Sequence, residues 1–153
     1  MKLRPAFLGV LIFGMAVLAA CSNGGGTNVP VLTLIPCVVP SGTLVALAYP
    51  EPGATAVPTS PGQVVVAVSS PLPNTWQVVL QYPGGYLGWE GLLNTIAPAS
   101  IPTPYAVPTF ANPTYASSGL TSALPPNTTV NVLLNNQASV CNQFPQIGSF
   151  TTQ

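Results

Sequence analysis

The chain has 153 residues, of which 48% are hydrophobic and only 3% are charged, and it contains no histidine. Its two basic side chains, Lys2 and Arg4, stand at the start, so nothing beyond residue 4 can neutralise phosphates or anionic lipid headgroups. This distribution argues against a nucleic-acid partner. The lack of histidine and aspartate also excludes Ser/His/Asp and Cys/His catalytic arrangements.

The first 20 residues have the layout of an export signal. The two basic residues precede an apolar run over residues 6–18, and small side chains follow in Leu18-Ala19-Ala20-Cys21. This pattern resembles the lipobox of bacterial lipoproteins. The resemblance implies that a helical signal peptide, residues 1–20, is removed and that Cys21 is acylated as the new N-terminus. The protein would then be exported and held to a membrane of the cell envelope by its lipid.

The alternative is a plain signal peptide or a signal-anchor helix in which Cys21 has no special role. A membrane span needs roughly 20 apolar residues, and the run over residues 6–18 is shorter. The segment therefore fits the lipobox interpretation better than it fits a membrane-spanning anchor.

Composition beyond Cys21 separates a linker from a folded domain. Residues 21–32 contain Cys21 and the linker, whose small, polar stretch SNGGGTN at residues 22–28 is typical of a flexible tether, and residues 33–153 form the predicted domain. The domain is rich in β-branched and aromatic residues, which favour strands, while most of the 19 prolines fall in it and disfavour long helices. The predicted class is all-β. Residues 29–40, apolar but interrupted by prolines, fit an edge strand or an extended covering segment.

The three cysteines are an odd number for an exported protein. Acylation of Cys21 would leave Cys37 and Cys141, which we expect to form a disulfide because the compartment is oxidising. The alternatives are two buried free thiols or a metal site, and for the latter no histidine or aspartate is present to complete a coordination sphere. No metal or cofactor is predicted.

Seven strands are predicted in chain order, separated by turns rich in Pro, Gly and Asn. The clearest one alternates, with Trp76, Val78, Leu80 and Tyr82 on the face predicted to be inward. Residues 94–113 carry five prolines and are interpreted as a long ordered crossing loop. The predicted strands cover residues 43–49, 64–70, 75–82, 86–93, 114–118, 129–135 and 148–152.

Three short motifs resemble those of bacterial Ig-like domains, and one of them is shared with fibronectin type III domains. They are PEPGATAVP at residues 50–58, followed by VVVAVSS at 64–70; LPPNTTV at 124–130; and SFTT at 149–152. The resemblance implies an Ig-like antiparallel β-sandwich of about seven strands that acts as a spacer or binding module. Val130 departs from the pattern, because the family usually has a tyrosine there whose hydroxyl closes a corner.

Exposed aromatic side chains are the best candidates for a binding surface, since they contact sugars, peptides or other chains by stacking and apolar contact. We single out Tyr86, Trp89, Tyr105 and Phe110, with an envelope protein or a glycan as the partner. The alternative is that these rings fill the core and cover a sheet edge.

A catalytic function would have to use the only two carboxylate side chains, Glu51 and Glu90, as the acid and nucleophile of a small hydrolase. The simpler interpretation places Glu51 in a turn and Glu90 as a solvated charge on an edge strand. We therefore predict a non-catalytic protein with no catalytic residue.

Overall fold

The structure, a computed structural model, describes residues 33–153. The predicted signal peptide, the predicted acylation site Cys21 and the whole linker lie outside the described residues. Within the described part, no helix is long and apolar enough to cross a membrane.

The described chain is all-β, as predicted. It forms eight strands, and the helical content of residues 33–153 is limited to two three-residue 3₁₀ turns, Pro83–Gly85 and Pro98–Ser100. The strands are β1 Val45–Tyr49, β2 Gln63–Val68, β3 Trp76–Gln81, β4 Leu87–Leu92, β5 Asn94–Ile96, β6 Thr114–Gly119, β7 Thr129–Asn136 and β8 Gln146–Thr151.

Two antiparallel four-stranded sheets make up a sandwich. The first sheet has the order β1-β2-β6-β5 and the second β4-β3-β7-β8. When the strands other than β4 are lettered A to G in chain order, the first sheet has the order A-B-E-D and the second contains C-F-G, which is the arrangement of an immunoglobulin sandwich. Strand β4 is one further strand at the edge of the second sheet. The predicted fold class is confirmed.

One strand was missed. The crossing loop predicted over residues 94–113 begins with β5, which pairs with β6 through Asn94↔Ser117 and Ile96↔Tyr115. This strand is three residues long and stops before Pro98, so its local pattern is too short to distinguish it from a loop. The chain passes from the second sheet to the first at Leu93, which is buried between them.

The core lies between the two sheets. The alternation predicted for β3 is confirmed, since Trp76, Val78 and Leu80 are fully buried in it. On one side of the sandwich β1 approaches β8 so closely that a Cβ on Gly148 would lie 2.8 Å from Leu47. Glycine at 148 is therefore a packing requirement. The other inward residues come mainly from β2, β7 and β8: Val64, Val66, Val68, Val130, Val132, Leu134 and Phe150.

A second apolar cluster covers the outer face of the first sheet. Val65 and Ala67, which alternate with the inward residues of β2, are fully buried beneath the proline-rich segment 97–113. Ala48 from β1, Ile101 from that segment and Tyr115 from β6 complete the buried cluster. Strand β2 is consequently buried on both faces, which explains its uninterrupted apolar sequence.

At position 130, where the pattern described above has a tyrosine, this chain has a valine, and another residue makes the hydrogen bonds at the start of β7. Val130 is fully buried opposite Phe150. The buried hydroxyl of Thr152 donates to the carbonyl of Pro125 at 2.6 Å and accepts from the N–H of Thr128 at 2.9 Å. Thr152, the residue after β8, thus hydrogen-bonds to the backbone of the segment that leads into β7.

The predicted disulfide is confirmed. Cys37 and Cys141 are bonded, and their Cα atoms are 5.1 Å apart. The bond joins the extended N-terminal segment to the β7–β8 loop. Backbone hydrogen bonds run alongside it, with the N–H of Cys37 donating to the carbonyl of Gln143 at 2.8 Å.

Candidate functional site

The most exposed aromatic side chains of the second sheet lie at and next to β4. Trp89 is paired with Val79 of β3, and Val79 alternates with the core residues Val78 and Leu80, so Trp89 lies on the outer face of the sheet. Its side chain is 51% exposed, and that of Tyr86, in the turn before β4, is 76% exposed. These two predicted residues are therefore available to a partner.

A third ring, which the sequence analysis did not single out, holds Trp89 in place. Phe144 of the β7–β8 loop packs edge-on against Trp89, with ring centroids 5.5 Å apart and an interplanar angle of 85°. The loop that carries Phe144 is fixed by the disulfide at Cys141. We call Tyr86, Trp89 and Phe144 the aromatic patch.

Uncharged amides lie on the same face of the second sheet. The side chain of Asn131 donates to Gln81 at 3.3 Å and accepts from Gln146 at 3.4 Å, which makes a row of three linked amides across β3, β7 and β8. Gln81 is paired with Leu87 and is two residues from Val79, the partner of Trp89. The face therefore offers aromatic contact and neutral hydrogen-bonding groups side by side.

The other two predicted aromatic residues lie elsewhere. Tyr105 and Phe110 are partly buried in the cluster on the outer face of the first sheet, on the opposite side of the sandwich from Trp89. Tyr105 packs edge-on against Tyr115 at a centroid distance of 6.2 Å. Burial, with a smaller contribution from Tyr105, raises the pKa of Tyr115 above its usual value. Tyr105 and Phe110 thus cover the sheet, as in the alternative considered above, and the predicted four-residue surface is divided in two.

Glu90 is not a solvated edge residue, and that interpretation of it was wrong. It is buried, and one carboxylate oxygen accepts from the N–H of Thr121 at 2.9 Å and from its hydroxyl at 3.1 Å. These bonds attach β4 to the loop between β6 and β7. Burial, and secondarily the charge of Glu90, raises the pKa of Tyr82.

Glu51 is exposed in the loop between β1 and β2, beside a groove of about 310 Å³ whose walls include Tyr49, Pro58 and Pro104. Strand β1 is an edge strand that packs near β8, whereas β4, which carries Glu90, is the edge strand that packs near β6. The two carboxylates therefore lie on opposite sides of the sandwich. The two carboxyl groups of a glycosidase must lie within about 10 Å of each other to act on the same glycosidic bond, and this arrangement does not bring Glu51 and Glu90 together.

Taken together, the fold and these residues define a disulfide-bonded β-sandwich with an exposed, uncharged aromatic patch. No protein-family model, curated protein or solved structure matches this chain.

Proposed function

We propose that this chain is an exported, lipid-anchored protein of the bacterial cell envelope, and that its β-sandwich is a non-catalytic structural or binding module. The lipobox-like sequence ending at Cys21 supports the anchor. The Cys37–Cys141 disulfide fits an oxidising compartment outside the cytoplasm, because such bonds persist there. The separation of Glu51 from Glu90 speaks against the paired-carboxylate alternative.

The observation that carries the binding role is the half-exposed Trp89 held edge-on by Phe144. A tryptophan that is fixed before contact loses little side-chain freedom on binding, and such rings dominate the energy of many interfaces. The surrounding face has amides but no exposed charged group of its own. The partner is accordingly an envelope protein or a glycan that presents an apolar, uncharged surface.

The anchor is tested by mass spectrometry of the N-terminal peptide from the protein purified out of membranes. We expect a chain that starts at Cys21 and carries the mass of a diacylglyceryl group and an amide-linked acyl chain. In the Cys21→Ala variant the precursor should stay uncleaved by the lipoprotein peptidase. An unmodified Cys21, or a mature chain beginning at another residue, would show that the lipobox interpretation is wrong.

The binding role is tested by crosslinking in intact envelopes, followed by quantification of the crosslinked species. Trp89→Ala should reduce its yield at least about tenfold, since loss of an interface anchor commonly costs more than 1.4 kcal/mol. Val107→Ala is the control, because Val107 is also exposed, at 73%, but lies in the segment that covers the first sheet. Equal yields from the two variants, with both folded, would remove the aromatic patch from the contact surface.

A further inference from the structure

The first described segment has an outward side made only of apolar residues. Side chains alternate along this extended stretch, with Cys37 buried and Val39 packed partly against the core. The alternate residues Leu34, Pro36, Val38 and Pro40 are all exposed. Ile35, on the same side as Cys37 and Val39, is also 43% exposed. Val38 is 74% exposed.

A further exposed valine lies next to the other cysteine of the disulfide. Val140 adjoins Cys141 as Val38 adjoins Cys37, and it is 91% exposed, the highest value among the large hydrophobic residues of the described part. We call Leu34, Pro36, Val38 and Val140 the apolar ridge. No charged side chain occurs in residues 33–50 or 91–153, so no charge lies close to the ridge in sequence.

The ridge is held in a fixed shape. The carbonyl of Ile35 accepts from the N–H groups of Asn142 and Gln143 at 2.9 and 3.0 Å, and Cys37 donates to Gln143 on the same side. The disulfide adds a covalent constraint at its centre. Because the segment is already ordered, contact with an apolar phase would require little further loss of conformational freedom.

The outer edge of this segment is poorly suited to pairing with a strand of another protein. Its inner hydrogen-bonding groups, on Ile35 and Cys37, are used by the β7–β8 loop. The outer edge would have to use the alternate residues, and Pro36 and Pro40 have no N–H to donate. The ridge therefore fits an occupant that makes apolar contact without backbone hydrogen bonds, which is the character of a lipid bilayer.

The position of the ridge in the chain supplies such a bilayer. Only residues 22–32 separate Cys21 from Thr33, and a flexible chain of that length spans about 18 Å on average. A tether this short gives the ridge an effective concentration at the membrane in the millimolar range. Weak apolar contact is then sufficient for the ridge to stay on the surface.

We propose that the apolar ridge rests on the bilayer in which Cys21 is anchored and fixes the orientation of the domain. This inference rests on the proposed lipid anchor. The loops after β1, β3 and β6 leave the sandwich at the end opposite the disulfide, because the antiparallel registers place the first residues of β1, β3 and β6 and the last residues of β2 and β7 at the disulfide end. Tyr86 and the groove beside Glu51 belong to that end, which would point away from the membrane.

The test uses the acylated mature chain in phosphatidylcholine vesicles whose acyl chains carry bromine, a short-range quencher of tryptophan. In a Trp89→Phe background, one variant has Val38→Trp and the control has Val107→Trp. The two valines are matched in exposure, at 74% and 73%, but lie on different parts of the domain, and Trp76 contributes the same buried signal to both. After the Trp76 signal of the Trp89→Phe parent is subtracted, we expect the emission of the introduced tryptophan to fall at least twofold at residue 38 relative to unbrominated vesicles, and not to fall at residue 107. Val140→Trp serves as a second probe of the ridge and should behave like Val38→Trp.

Flotation of the vesicles tests the anchor separately. Protein that fails to float would contradict the lipid anchor itself. Protein that floats but shows no greater quenching at residues 38 and 140 than at 107 would overturn the ridge proposal and leave the anchor intact. That second result includes the case in which a second copy of the chain covers the ridge.

Discussion

Replacing Trp76 with alanine is expected to leave little folded protein. Trp76 begins β3 and is the largest fully buried side chain of the domain, packed between the sheets with Val78 and Leu80. Truncation of a buried tryptophan typically costs about 3–5 kcal/mol, against a total stability of roughly 5–15 kcal/mol for a domain of ordinary size. The variant should therefore lie close to, or below, the threshold for folding.

The measurement is denaturant unfolding followed by circular dichroism, with Trp89→Ala as the matched control. Both variants lose one indole, but Trp89 is half exposed, so its removal should cost much less. Acrylamide quenching of the two single-tryptophan proteins, Trp76→Phe and Trp89→Phe, provides an independent check. Stronger quenching of Trp76 than of Trp89 in the folded proteins would contradict the register of β3.

Strand β3 illustrates how far local sequence determines this fold. Its alternation predicted correctly which residues face the core, because a strand with one apolar face has only one register that buries that face. The same pattern did not predict that Val79, on the other face, is also fully buried. Val79 is covered because β3 is a central strand and because neighbours such as Trp89 lie beside it, and both facts depend on residues distant in sequence.

The aromatic residues illustrate where local patterns end. Tyr86 and Trp89 are exposed and Tyr105 and Phe110 are partly buried, yet all four stand among glycines or prolines. Tyr105 and Phe110 are partly buried because segment 97–113 packs over the first sheet. This long-range contact cannot be predicted from the residues next to each ring. Phe144 was missed for the same reason, since its contact with Trp89 joins residues 55 positions apart.

Glu90 was predicted to be solvated but is buried. Flanking glycines suggested a weak, solvated edge strand. In the structure the carboxylate turns inward and finds two donors on Thr121, which makes its burial tolerable. A buried charge on an edge strand is predictable only once its partner is known, and here the partner lies 31 residues away.

Loss of the disulfide is the second change expected to have a large effect. Cys37 and Cys141 are 104 residues apart, so the bond closes a loop that spans most of the domain. In the chain-entropy model such a loop contributes on the order of 4–5 kcal/mol by restricting the unfolded chain. The Cys37→Ser/Cys141→Ser variant should melt on the order of 15 °C lower than the parent protein, given the usual dependence of melting temperature on stability for a domain of this size.

A local effect should accompany the lower stability. The disulfide fixes the β7–β8 loop that carries Phe144, so without it Trp89 loses its edge-on neighbour and should become more accessible to acrylamide, while Trp76 should stay protected as long as the domain is folded. The control is the parent protein with and without reductant, because reduction should reproduce the double variant and have no effect on it. A melting temperature that reduction leaves unchanged would show that the N-terminal segment and the loop stay docked through their backbone hydrogen bonds alone. In that case the stability of the sandwich would have to be assigned to its core and not to the loop that the bond closes.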